Sequence, residues 1–262
     1  VRGSEGRRML RLFVGALLSL MFTTASRAQL PPANDDLSIL RDIDVPPICK
    51  VAKPMPKEYQ PDQISNEEVR KKPDKYPLRS AVLAAVDLVR KQAQEPTPAI
   101  EFAVPLPKDR PALMKRIAES QKPLARQMAE LKEAQERLEG VEDHRKREPS
   151  KRWQAHYDYI LSHVQLRYAY IFELSLMLGE FRKDNLPELD AKKNQNGWRL
   201  VPSEKMSSPA EVKDTVKSAH KLLNKVVKDH PDTPWATLAN RDLNSPIGLQ
   251  WEAAVIPIAA KK

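Results

Sequence analysis

An all-α helical bundle built on one long antiparallel helix pair is what this 262-residue sequence predicts. Three observations carry that prediction. Ile117, Leu124, Leu131 and Leu138 recur every seven residues, the spacing of an apolar helix seam. The stretch from Trp153 to Phe181 carries two apolar seams, so a helix there must be packed on two flanks. Beyond residue 28, glycine occurs only at Gly140, Gly179, Gly197 and Gly248, each isolated. Walker and dinucleotide-binding loops need clustered glycines to bring the backbone against a phosphate, so both are absent.

The chain opens with Arg7, Arg8 and Arg11 ahead of a largely apolar run, Leu12 to Phe22. Ser26 and Ala28 then place small residues at the −3 and −1 positions of a cleavage site before Gln29, so residues 1–28 read as an export signal. The run is shorter than the roughly 20 residues of a membrane span. Cleavage is therefore expected, with an uncleaved anchor as the alternative, and no stable transmembrane segment remains after it. Val1 reads as a translated non-Met start codon, with Met9 an equally good beginning. Residues 29–64 are rich in Pro, including Pro31-Pro32 and Pro46-Pro47, and predict a disordered, semi-rigid tether. The sole cysteine, Cys49, lies in it and cannot make an internal disulfide.

A single helical domain is expected over 65–262. Ser65 and Glu68 form a capping box for a short helix. Leu78 to Gln94 predicts the next helix, with Leu78, Val82, Ala85 and Val89 on one face and Pro77 and Pro96 at its bounds. Between Thr97 and Pro107, Ile100, Phe102 and Val104 alternate as in a strand-like arm. The first long helix runs from Pro111 to Glu139, with Leu113, Met128 and Ala134 beside the heptad seam and Gly140 as its stop. Pro123 removes the bond to the Glu119 carbonyl and predicts a kink. The second long helix runs from Ser150 to Arg182, with Gln154, Asp158 and Gln165 facing solvent. The charged link from Val141 to Pro149 is short enough to make the two helices antiparallel neighbours. Pairing Glu139 with Lys151 sets Arg167 opposite Pro123, with its guanidinium on the freed carbonyl or on the Glu119 carboxylate.

Asn185 to Ser208 reads as a loop turning at Asn196-Gly197, with Trp198, Leu200 and Val201 folding back on the bundle. Ser208-Pro209-Ala210-Glu211 reads as a helix start, with Ser208 as cap, a proline at the first position and a capping-box Glu. Val212, Val216, Ala219, Leu223 and Val226 continue it until His230-Pro231. Thr233-Pro234 opens a last helix with Trp235, Leu238 and Leu243, and the tail from Trp251 to Ile258 is extended and partly buried.

The formal charge of +9 overstates the basic character. Removing residues 1–28 takes away five Arg and one Glu, leaving 39 basic and 34 acidic residues of alternating sign along helices. Mixed signs make a solvated surface and disfavour nucleic acid as a partner. His156 and His163 lie two helical turns apart, about 10 Å, too far to share one zinc, and read as polar packing. His220 reads as exposed. No Ser sits in a nucleophile elbow, no His neighbours Cys49, and no EF-hand spacing occurs. No catalytic residue, cofactor or metal ligand is therefore assigned, and the chain is not expected to be an enzyme. Tyr168 and Phe172 fit neither apolar seam and are candidates for an interaction surface. Lys213, Lys217, Lys221, Lys225 and Lys228 form one exposed stripe opposite the apolar seam of their helix, a candidate for cell-wall or polyanion binding.

Lys217 to Leu243, with His230-Pro231-Asp232-Thr233-Pro234-Trp235-Ala236 as its turn, resembles one repeat's worth of a tetratricopeptide array. A broader set of residues comprises Tyr76-Pro77-Leu78-Arg79, Arg152-Trp153 with Tyr157-Asp158, Gly197 to Pro202, His230 to Ala236, and Gly248-Leu249-Gln250-Trp251. With these, the chain is similar to a helical module of uncharacterised exported bacterial proteins, sometimes joined to a von Willebrand factor A-type domain that is absent here. That resemblance implies a helical fold and export, with no known activity. The expected function is an exported, non-enzymatic helical interaction or scaffold protein whose protein partner is unknown and whose association with the cell envelope is possible. The alternatives are an envelope-associated hydrolase or ligand-binding protein with a site assembled from distant residues, and polyanion binding through the lysine stripe.

Overall fold

The computed structural model describes residues 56–95, 103–105 and 110–257. Residues 1–28, read above as an export signal, most of the expected tether with Cys49, the arm residues Ile100 and Phe102, and Ile258 lie outside the described residues. Seven helices run in chain order: α1 (Asn66–Lys71), α2 (Pro77–Gln94), α3 (Arg110–Glu139), α4 (Glu142–Arg147), α5 (Lys151–Arg182), α6 (Ala210–Asp229) and α7 (Pro234–Leu243). Strands β1 (Ala103–Pro105), β2 (Gly197–Ser203) and β3 (Gly248–Ala254) form a small antiparallel sheet in the order β1-β2-β3. The molecule is a mostly helical bundle, as the periodicity predicts. Among the described residues no helix is long and apolar enough to cross a membrane.

Helix α5 is the axis of the bundle and touches α2, α3, α6, α7 and β3. Every residue from Ala155 to Leu166 is buried, about three full turns with no solvent side. Asp158 and Gln165, expected to face water, are 2% and 3% exposed. Asp158 is covered because Arg145 of α4 and Lys225 of α6 reach over it. From α3, Ile117, Leu124, Leu131 and Leu138 are all buried, so the heptad seam is the face that α3 turns inward.

The α3–α5 pair is antiparallel, but its register differs from the expectation. Tyr157 donates to the Leu138 carbonyl at 2.9 Å, and Gln121 donates to the Ser175 carbonyl at the same separation. Pro123 therefore faces α5 about six residues beyond Arg167. The Arg167 expectation fails for that reason: its Nε approaches Gln92 of α2 at 3.5 Å, and the Glu119 carboxylate pairs with Lys122 at 2.6 Å. The link between the long helices is not a plain turn. It holds α4, and Glu148 after it accepts two bonds from Arg79 of α2, at 3.0 and 2.8 Å.

Three further expectations are corrected. The tether does not stay detached up to residue 64, because a 3-10 turn at Lys57–Tyr59 buries Tyr59 to 3% exposure. The loop expected over 185–208 contains β2, and both extended arms pair with it. Pro202 is tolerated there because β1 covers only Gly197 to Arg199, leaving β2 an edge strand beyond that point. Ser208 does not cap α6; its hydroxyl and N–H turn to Glu173, and Pro209 takes the cap position. At Gly248 a Cβ would collide with the Ser203 and Lys205 carbonyls, so the strand entry requires glycine. The Ser65 cap does form, accepting from the Glu68 N–H at 3.1 Å, while the Glu68 carboxylate goes to Lys72 and Tyr76.

Leu131 is fully buried where α3 contributes to the core. Leu131→Ala is expected to cost about 2–5 kcal/mol, the range for deleting a buried leucine side chain. Urea unfolding should show a lowered midpoint with an unchanged slope.

Candidate functional site

Because α5 has no free side over three turns, its polar residues must find partners on neighbouring helices. Asp158 is the most heavily used. It accepts from Arg145 of α4 through Nε at 3.0 Å and Nη2 at 2.6 Å, and from Lys225 Nζ at 3.1 Å. His230, at the end of α6, places Nε2 3.7 Å from the same carboxylate. Its Nδ1 lies 2.8 Å from the Tyr59 hydroxyl. With Nε2–H turned toward Asp158, Nδ1 accepts from Tyr59, so the 3-10 turn is tied to α6 and through it to α5. Burial works to raise the Asp158 carboxyl, but bonds from His230 and Arg145 and the charges of Arg145 and Lys225 outweigh it, holding the group at about 2.

One turn on, Asp242 of α7 accepts from the Tyr159 hydroxyl at 3.0 Å and from His163 Nδ1 at 3.3 Å. Arg241 reaches the other oxygen at 2.7 Å. Further along, Glu173 is fully buried and accepts from the backbone N–H groups of Ser207 at 2.7 Å and Ser208 at 3.0 Å. These carboxylates hold helices together.

The N-terminal end of α5 differs. A pocket of about 490 Å³ opens there between residues 61–67, α2 and the first turns of α5. Arg152 and His156, one turn apart on α5, line it, and Trp235 of α7 packs behind both. Trp235 Nε1 donates to His156 Nδ1 at 3.1 Å, which fixes the ring as the Nε2–H tautomer. Burial, with the adjacent Arg152 charge, depresses the imidazole well below its usual range, so it stays neutral.

The residues singled out from sequence are scattered. Tyr168 and Phe172 are half-buried against the core, their rings 6.3 Å apart, and do not form an open platform. The five stripe lysines are all exposed on α6, yet Lys225 is tied to Asp158 and Asp229, and Lys217 pairs with Asp214 at 2.7 Å. Lys213, Lys221 and Lys228 remain the outward part of the stripe. His220 is half-buried, not exposed. Among the described residues no group of three His, Cys, Asp or Glu side chains could hold a metal ion. Sequence reasoning missed Arg152, His156 and Asp158 as a polar set. Their one legible signal is the spacing Arg152, His156 on the edge of an otherwise apolar seam.

Comparison with protein-family models, with curated proteins and with solved structures found no match.

Two outcomes follow from the buried groups. Asp158→Asn should destabilise by about 3–5 kcal/mol in chemical unfolding, because it takes the carboxylate from the largely buried Arg145 guanidinium. The pH dependence has two windows. His156 is depressed in the folded state, so its contribution is present above about pH 6.5 and is lost as the pH falls, when the unfolded chain takes the proton first. His220, also depressed by burial, adds in the same direction. Asp158, held at about 2, contributes about 2 kcal/mol that is lost only below about pH 4. Urea midpoints measured from pH 8 to pH 3 should therefore fall in two steps, and His156→Gln should flatten the upper one.

Proposed function

We propose that this chain is an exported, non-enzymatic helical scaffold that presents the outer face of α6 to a protein partner. One observation carries the reading. The buried carboxylates Asp158, Asp242 and Glu173 are each spent on bonds between elements of the bundle, which is how a protein fixes its own shape and not how it poises a general acid or base. Lys213, Lys221 and Lys228 face outward along the same helix and supply a charged rim that a complementary partner surface would meet. The similarity of Tyr76 to Arg79, Gly197 to Pro202 and Gly248 to Trp251 to a module of exported proteins supports the export part of the reading, as do residues 1–28. Polyanion binding is the weaker reading, because two of the five stripe lysines are engaged with carboxylates of α5 or α6.

A photo-crosslinking residue at Lys221, introduced in the native cell, should give a discrete protein adduct. The triple variant Lys213→Glu, Lys221→Glu, Lys228→Glu should lose it while keeping the melting temperature within about 2 °C, since these exposed side chains carry no buried contact. Turnover of ester, phosphoester or peptide reporters that survives repurification and disappears in a pocket variant would replace the scaffold with an enzyme.

A further inference from the structure

Two arginines stand near the pocket at the start of α5, and they are treated differently by the fold. Arg79 is matched by two carboxylates: Glu148 takes Nε and Nη2, and Asp62 lies 2.6 Å from Nη1. Arg152 is 6% exposed and, among the described residues, is bound only through Nη1 to the Tyr59 carbonyl, at 3.3 Å, with its guanidinium over the Trp235 ring. Among the described residues no carboxylate lies within ion-pair distance of it. Of the two lining acids, Asp62 is claimed by Arg79 and by the Ile64 N–H, and Glu67 pairs with Lys71. A guanidinium stays charged when buried, and an unpaired buried charge costs several kcal/mol. Burial works against its protonated form here too, only partly offset by Asp62.

His156 adds a second donor. Its Nδ1 is occupied by Trp235, so Nε2 carries the hydrogen, and no group among the described residues accepts it. A charged donor and a neutral donor, one helical turn apart, thus line a pocket whose α2 wall is Val82, Leu83 and Val86. We propose that this pocket binds a small monocarboxylate with an apolar body, its carboxylate on Arg152 and His156 and its body against the α2 wall and Trp153.

The charge count selects the class. One cation and one neutral donor balance a single negative charge. A phosphate dianion would leave charge uncompensated while facing Asp62 and Glu67 on the same lining. A neutral ligand would leave Arg152 as it is. The volume, about 490 Å³, lies within the usual range for small-molecule pockets and leaves room for a ring or a short alkyl chain beyond the carboxylate. The proposal is independent of the scaffold reading, since the pocket is lined by residues of 61–67, α2 and α5, and the stripe lies on α6.

The test uses the full chain with octanoate and benzoate, their alcohols octanol and benzyl alcohol, and inorganic phosphate, followed by calorimetry. At least one carboxylate should bind saturably, with a dissociation constant below about 1 mM, and raise the melting temperature. Its alcohol should bind at least tenfold more weakly. Arg152→Gln should weaken the carboxylate tenfold or more, with Arg152→Lys retaining part of the affinity. The four tryptophans place the ligand in the wild-type protein without any variant: indole resonances of Trp153 and Trp235 should shift, and those of Trp198 and Trp251 should not. The proposal is overturned by saturable binding of neither carboxylate, by equal binding of acid and alcohol, by phosphate binding alone, by shifts confined to Trp198 and Trp251, or by full affinity in folded Arg152→Gln.

Discussion

The constraint from which the rest of this structure follows is the burial of α5 around its whole circumference between Ala155 and Leu166. A helix packed on one face can leave its polar residues in water. A helix enclosed on all sides cannot, so its ionised and aromatic polar groups in those turns turn to neighbouring elements, while Ser162 bonds back to the Asp158 and Tyr159 carbonyls of its own helix. Asp158 is answered by α4 and α6, and Tyr157 by the last carbonyls of α3. Tyr159 and His163 are answered by α7. The polar contacts thus record which helices surround the axis, and they were forced by the apolar burial that put the axis there.

The same constraint separates the polar groups that hold the fold from those that do not. A buried ion pair contributes little net stability when it forms, because desolvation cancels most of the attraction, but losing one partner is expensive. Asp158 and Asp242 fall in that regime: their carboxylates are saturated by donors, and burial is outweighed at both. Arg152 falls outside it. It is buried too, and among the described residues its one acceptor is the Tyr59 carbonyl. Arg79, by contrast, stacks on Trp153 and meets carboxylates of Glu148 and Asp62 three times, so the fold can supply carboxylates to an arginine at this end of α5.

Much of the helical frame was legible in the residues. The bounds of α5 and α7 follow from local signals, Ser150 and Thr233 accepting bonds from the first-turn N–H groups of Trp153 and Ala236. The seams of α3 and α5 follow from periodicity, which reports directly on burial. What local signals do not contain is the identity of distant partners. Asp158 reads as a solvent residue because Lys225 and His230 stand 67 or more positions away. The α3–α5 register was misplaced because α4 occupies the link and packs on α2, so the second helix does not simply fold back from Glu139. Strand β2 was hidden by Gly197 and Pro202, which suppress strand propensity, and its existence depends on β3 pairing along its full length. The pocket was illegible for a further reason: nothing in the sequence distinguishes Arg152 from Arg79, and only their partners do.

Along α5 the polar ties are spaced so that they fix position as well as contact. Asp158 meets the C-terminal end of α6, Tyr159 and His163 meet Asp242 of α7, Glu173 meets the residues that lead into α6, and the Met177 carbonyl accepts from Trp251 of β3 at 2.8 Å. An apolar seam by itself tolerates sliding by a turn, since one leucine can replace another in the same hollow. A carboxylate cannot slide, because a one-turn shift would carry it about 5 Å from its donors and leave both sides buried and unpaired. The ends of α6, the end of α7 and the last strand are therefore pinned to α5 at separate heights. The outward lysines of α6 and the Trp235 ring behind Arg152 are held in fixed relation by the same set of bonds.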